Sequence, residues 1–248
     1  MPGRLRVQRW YSMAAMWGSV ELEPEVRDWI LHLRDTGADR VRFHIDRLSE
    51  LGPQLDEPHT RQLDGKLREL RFHLEGRQMR ITYWIAPGRR IILLTVFAKT
   101  QRQERREIVR AKEAMERCIA ESHSTDDNER TMTERTTWED FKAEHPLTEE
   151  GRAAYEDEAR ISAFRAFVYR LRSEAGLTQA ELAERMGTTQ SAIARMEGGG
   201  ARPTLETLEK LAAAVGGELV VGVGEHLSDN RSIAKLVRDG HAVIRRAS

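Results

Sequence analysis

The chain has 248 residues, 40 Lys/Arg against 40 Asp/Glu, 40% hydrophobic and 32% charged content, and only 6% aromatic residues. That mixture supports packed cores and excludes a collagen-like or disordered chain. No run approaches the roughly 20 apolar residues of a membrane span, the N-terminus lacks a secretory stretch, and the lone Cys118 permits no internal disulfide, so a cytoplasmic protein is expected.

Trp17, Val20 and Leu22 suit an opening strand, with Met13 or Met16 near the true start of the domain. From Pro24 to Arg34, Val26, Trp29, Ile30 and Leu33 fall at helical spacing, and Pro24 suits a first-turn position. A second helix carries Val41, Ile45, Leu48 and Leu51 on one stripe and stops at Gly52-Pro53. The period then changes. Lys66–Leu74, Gln78–Ala86 and Arg90–Ala98 are short β-branched or alternating runs parted by Glu75-Gly76 and Pro87-Gly88, which predicts an antiparallel meander. A helix from about Gln101 to Ala120 follows, with Ile108, Ala111, Met115 and Ile119 on one face. The order β-α-α-β-β-β-α describes an α+β domain over residues 1–121, its core beginning near residue 16.

Residues 122–137 read as an acidic, polar linker whose one apolar residue is Met132. The run after Met132, TERTTWEDF, looks like the opening of a separate protein, as though two reading frames had become one. From 138 to 248 the chain reads as a second, mostly helical domain. Trp138 and Phe141 lie one turn apart, and Thr148 to Ala175 forms a long helix burying Phe164, Val168 and Leu171. Three short helices follow, ending at Gly216-Gly217. Glu218–Val223, ELVVGV, then reads as a strand suited to pairing two copies in a homodimer. The tail from Asp229 to Ser248 holds one short amphipathic stretch, Ile233–Val237.

Charge is unevenly placed. Between His59 and Lys99 stand nine basic and three acidic residues, whereas Glu121–Glu158 holds 13 acidic and four basic ones. A basic patch suits a polyanion, and an acidic segment of the same chain could cover it; both could also be solvated faces. The eight histidines are scattered, so neither a metal nor a cofactor is expected.

In Gly176–Gly216, Leu177, Leu182, Ala183, Met186, Ile193, Met196, Leu205, Leu208 and Leu211 repeat at helical spacing, and Gly187 stands where one helix must turn into the next. This pattern, placed over 163–216, predicts a helix-turn-helix and resembles the phage-repressor family of DNA-binding domains. The resemblance implies that the second central helix enters the major groove, with Thr189, Gln190 and Ser191 on base edges and Arg195 one turn along. It also implies that Gln179 holds a phosphate, and that Arg172 and Glu197 form an internal ion pair.

The basic half carries KLRELR at 66–71, RQMRITYW at 77–84 and IILLTVFAKT at 91–100. In order and spacing these resemble the RelE/HigB toxin superfamily, in particular its phage Gp49-like branch, although Ala98 stands where that branch has a second lysine. The resemblance implies a RelE-like small antiparallel sheet with helices, and metal-free cleavage of messenger RNA, commonly on the ribosome. In such an endoribonuclease the 2′-hydroxyl attacks the neighbouring phosphate, which requires a proton acceptor, cations on the phosphorane and a donor to the leaving oxygen. Arg71, Arg80 and Lys99 would surround the phosphate, and Lys66, Arg68 and Arg77 would grip RNA. Glu69 and His73, on the strand face of Arg71, are the candidate proton acceptors.

The whole then resembles a RelE/HigB-like toxin followed by an all-α HigA-like antitoxin that neutralises it and represses its own operator. Trp138, Phe141 and Tyr155 would dock the antitoxin on the toxin, within one chain or swapped between two. A DNA-binding regulator carrying an inactive toxin fold is the other reading.

Overall fold

The alternating runs between residues 66 and 98 build a sheet larger than the meander they predict. The computed structural model describes residues 16–34, 36–100, 104–123, 135–200 and 203–221. Met13, Met132, most of the expected linker and the tail from Asp229 lie outside them. The first part runs β1 (Ser19–Leu22), α1 (Pro24–Leu31), α2 (Gly37–Leu51), β2 (Thr60–Asp64), β3 (Leu67–Leu74), β4 (Arg77–Ala86), β5 (Arg90–Ala98), α3 (Glu104–His123) and β6 (Thr136–Thr137). Its six strands lie in the order β2-β3-β4-β5-β1-β6.

The β2-β3-β4-β5 ladder is antiparallel, but β1 pairs parallel to β5. The sheet is therefore mixed, not antiparallel throughout. The two helices α1 and α2 carry the chain from β1 across the sheet before β2 begins. Sequence reading misses β2, because TRQLD is a polar edge strand with most of its side chains in water. The β3–β4 hairpin is a two-residue turn in which Glu75 and Gly76 both have positive φ, 49° and 76°, the handedness that matches strand twist.

Each face of the sheet is covered by helix. Leu70, Phe72, Ile81, Tyr83 and Leu93 pack against α1 and α2, through Ile30, Ile45 and Leu48 among others. On the other face Leu67, Trp84, Ile92 and Leu94 pack against Ala111 and Cys118 of α3, and the Trp84 indole donates to Cys118 Sγ at 3.3 Å.

The expected linker ends early. Thr136 and Thr137 form β6 on β1, and α4 (Trp138–Glu144) delivers Trp138, 1% exposed, into the core of the first domain, where its indole donates to Asp46 Oδ1 at 2.7 Å. Phe141 stacks on it at 5.2 Å. These two aromatics complete the N-terminal core, although they lie beyond the boundary drawn from composition. Trp138→Ala is expected to cost about 3–5 kcal/mol, read as a lower urea midpoint of the full chain.

The remainder is helical: α5 (Glu149–Glu174), α6 (Gln179–Arg185), α7 (Gln190–Gly198) and α8 (Leu205–Ala214). A threonine caps each of them, Thr148, Thr178, Thr189 and Thr204, accepting a backbone N–H three residues on. Val168, Leu182, Ile193, Met196 and Leu211 form a second core. The strand expected over 218–223 is not formed in residues 218–221, where Val220 and Val221 are 87% and 64% exposed. Among the described residues no strand pairs with them. Among the described residues no helix is long and apolar enough to cross a membrane.

A basic sheet face closed by the helix-turn-helix

Alternation along β3 turns Glu69, Arg71 and His73 to the α3 side of the sheet, and β4 adds Arg80 and Thr82 there. Register sets Arg71 opposite Arg80 and Glu69 opposite Thr82. Glu69 is buried between the two arginines, 2.6 Å from Arg71 Nε and 3.3 Å from Arg80 Nε. A carboxylate so held fixes both guanidinium groups. Lys99 follows β5, its backbone N–H on Gln78 O and its side chain exposed.

Arg71, His73, Arg80 and Lys99 thus line one cavity of about 270 Å³. The other three basic residues singled out from sequence do not join them. Lys66 is exposed in the β2–β3 turn, away from the cavity lining. Arg68 alternates to the opposite face, where it donates to the Tyr83 hydroxyl at 3.1 Å, and Arg77 is exposed at the head of β4 with the opposite parity to Arg80.

The second domain supplies the remaining cavity wall. Arg165 of α5, 2% exposed, donates from Nε to Glu197 O at 2.9 Å, from Nη1 to Arg71 O at 3.0 Å and from Nη2 to Pro58 O at 2.8 Å. Burial lowers its pKa to about 9. At the end of α7, Gly198 O accepts from His73 Nδ1 at 2.5 Å. A Cβ at Gly198 or Gly200 would stand 2.7 or 2.9 Å from the His73 ring, so the glycine run lets the backbone close over it.

Arg165 was not singled out from sequence. The signal was a buried stripe on α5, Glu158, Ser162, Arg165 and Val168, in which three of four residues are polar. A helix side that buries polar groups faces polar partners.

The aromatic segment packs on α2 of the first domain. Tyr155 donates to Asp46 Oδ2 at 3.1 Å and packs edge-on against Phe43 at 5.4 Å, so Trp138, Phe141 and Tyr155 all sit on the α2 side. The acidic residues nearby also bind α2: Glu158 meets His44 at 3.0 Å, and Arg40 reaches Asp157 and Glu158, each at 3.3 Å. Burial opposes charge on Glu158, but the His44 hydrogen bond and Arg40 outweigh it and hold the carboxyl below its ordinary range.

Two buried histidines lie in this contact. Burial lowers the pKa of His44 despite its Glu158 bond, and lowers that of His59 further, with Arg165 and Arg47 adding to the effect. Both ring nitrogens of His59 are buried without a hydrogen-bond partner among the described residues. In the unfolded chain both histidines titrate near the ordinary 6.5. Below that pH the unfolded chain binds more protons than the folded one, so stability is full above about pH 6.5 and falls as the pH drops. Urea unfolding is expected to show a loss of up to about 1.4 kcal/mol per pH unit for each histidine below that point. His59→Gln should flatten the slope.

At α7, Thr189, Gln190, Ser191 and Arg195 are exposed, Thr189 serving also as the helix cap. Gln179 departs from its expected role. Its amide donates to Glu197 Oε2 at 2.8 Å, and Glu197 in turn holds Arg172 at 2.5 and 3.1 Å, so the Gln179 side chain is turned inward.

Residues 28–116 match the family described as Phage derived protein Gp49-like, and residues 168–221 match the family described as Helix-turn-helix. The chain joins a Gp49-like domain to a helix-turn-helix domain. A solved structure described as a toxin–antitoxin module from Streptococcus pneumoniae is 34% identical over 36% of this chain and 94% of that chain, with a TM-score of 0.24. No curated protein matches the chain. The Gp49-like domain contributes the basic face, and Arg165 of α5, just before the matched helix-turn-helix residues, closes over it together with the glycine run at the end of α7.

Proposed function

We propose that the chain is a self-neutralised toxin–antitoxin fusion. In this reading the Gp49-like domain is a metal-free endoribonuclease of messenger RNA, ribosome-dependent like the superfamily it resembles. The helix-turn-helix domain inhibits it and, as a homodimer, binds operator DNA to repress its own promoter. Both nucleic-acid partners place the protein in the cytoplasm.

One observation carries the reading: the C-terminal domain closes over the face where Arg71, Arg80, His73 and Lys99 converge, through Arg165 and the Gly198 carbonyl on His73. An extended RNA strand cannot lie across this face while the end of α7 covers His73. On the free face, two arginines pinned by Glu69 would offer fixed donors to a phosphorane, and Lys99 would add a mobile cation. At the exposed start of α7, Gln190 can pair with adenine, and Arg195, further along the helix, with guanine or phosphate.

The test is inducible expression in bacteria of residues 1–146 beside residues 1–123 and the full chain. The longer fragment keeps β6, Trp138 and Phe141 in the first core but lacks the inhibitory wall. It is expected to stop growth and fragment messages while the full chain does neither; the shorter fragment should unfold. A folded, harmless 1–146 fragment would leave a DNA-binding regulator with an inactive toxin fold. Operator binding is checked separately: Gln190→Ala should cost about 1–3 kcal/mol and relax specificity at one base pair.

A further inference from the structure

We infer that the cleft between the two domains is a binding site for a phosphoryl group, free or at the end of a mononucleotide, and that this ligand holds the domains together. The closed interface does not fill the cleft. It leaves a cavity of about 270 Å³, just under the roughly 300–1,000 Å³ of drug-sized ligand pockets and so suited to a small anion or a nucleotide fragment.

Its walls are positive. Six cationic side chains, Arg61, Arg71, Arg80, Lys99, Arg165 and Arg172, line it, against the carboxylates of Glu57 and Glu197, with Glu69 beneath. Arg172 is engaged by Glu197, and Arg71 by Glu69 and more distantly by Glu57 at 3.8 Å. Among the described residues, Arg165 donates hydrogen bonds to backbone carbonyls. Arg61 and Lys99 are exposed and form no ion pair among the described residues. The cleft therefore encloses three more positive charges than negative ones between low-dielectric walls, the setting in which an anion is concentrated and bound by charge-assisted donors.

The cations come from both halves. Arg61, Arg71 and Lys99 belong to the sheet, whereas Arg165 and Arg172 belong to α5, whose Tyr169 hydroxyl also reaches Glu57 at 3.0 Å. An anion bound among them relieves repulsion across the interface and bridges the domains, instead of competing with the C-terminal one. The inference needs the charged cleft and does not need the sheet face to cleave RNA, so it stands or falls apart from the nuclease reading.

The full chain is titrated with inorganic phosphate and with a nucleoside 3′-monophosphate, each against sodium chloride of equal ionic strength. At 10 mM ligand the expected result is a Tm rise of about 2–5 °C over chloride. Hydrogen exchange should slow both around residues 57–61 and in the 165–172 turn of α5. The double variant Arg61→Gln/Lys99→Gln should bind about tenfold more weakly, and Glu57→Gln more tightly, since it removes a lining carboxylate. Binding of the nucleotide more than tenfold tighter than phosphate assigns the site to a nucleotide end, and equal binding assigns it to the free anion. No rise over chloride, an undiminished rise in the double variant, or faster exchange in α5 would each overturn the proposal.

Discussion

Arg165→Ala in the full chain should loosen the two domains from each other and turn a harmless protein into a growth inhibitor. Arg165 is the donor to three carbonyls from three separate segments, Pro58, Arg71 and Glu197. Removing it leaves those acceptors in a buried contact without their partner, at about 1–3 kcal/mol for each one that water cannot reach, so a total near 4 kcal/mol is reasonable. Set against this, the buried cation bears its own desolvation cost, visible in a pKa lowered to about 9, and the alanine variant is spared that cost. The orphaned carbonyls dominate because two of the three bonds, to Pro58 and Arg71, span the interface and nothing in the variant replaces them. If docking weakens by about 3 kcal/mol, the open population rises by about two orders of magnitude. Arg165→Lys keeps the charge but lacks the planar fork that serves three acceptors, so it should fall between wild type and alanine. Growth on induction reads the release of activity. Hydrogen exchange at the end of α7 reads the opening even if the exposed face proves inert. An Arg165→Ala chain with unchanged exchange and harmless expression would show that the clasp is dispensable.

Much of this arrangement was legible in the sequence because it rests on periodicity. The meander from Lys66 to Ala98, the amphipathic helices and the Gly187 turn follow from apolar spacing, which is a matter of local pattern. The parallel seat of β1 beside β5 was not legible, since parallel neighbours are joined through long connections and leave no local mark. The domain boundary was misplaced for a related reason. Trp138 and Phe141 stand next to a polar segment, yet they are held by α2, nearly 100 residues earlier in the chain. At the site, alternation put Glu69, Arg71 and His73 on one face, and Arg80 with them. It could not say that Glu69 would be spent on both arginines, nor that a glycine run made for a tight helix end would also fit His73. Arg165 escaped notice because buried arginines are rare, and a sequence shows only that the residue lies on the inner stripe of a helix.

On the proposed nuclease reading these same contacts favour His73 as the proton acceptor, and the 1–146 fragment can test it. Sequence leaves Glu69 and His73 open. Glu69 is 1% exposed and bonded to Arg71 and Arg80 at once, so taking a proton would break two buried ion pairs. It is poorly placed as a base and well placed to aim the arginines. His73 bonds through Nδ1 to the Gly198 carbonyl, which can only accept, so the proton sits on Nδ1 and the lone pair on Nε2. In the closed chain burial outweighs the Gly198 hydrogen bond and, with Arg165 and Arg80, holds its pKa below the ordinary histidine value, so the ring there is neutral near pH 7; Arg80, in the first domain, keeps acting in that direction in the fragment. A neutral imidazole beside two fixed guanidinium groups is the pairing that 2′-hydroxyl attack requires: a base for the proton and donors for the charge. His73→Gln in the fragment is therefore expected to lower RNA cleavage by about 10²–10⁴. Arg80→Ala should lower it by about 10²–10³. Neither should change the RNA bound at saturation by as much. Glu69→Gln should lose activity together with thermal stability, because it frees two buried arginines. Cleavage that survives His73→Gln but is abolished by Glu69→Gln, with the fold intact, would return the proton to Glu69 and reduce the Gly198 contact to simple obstruction.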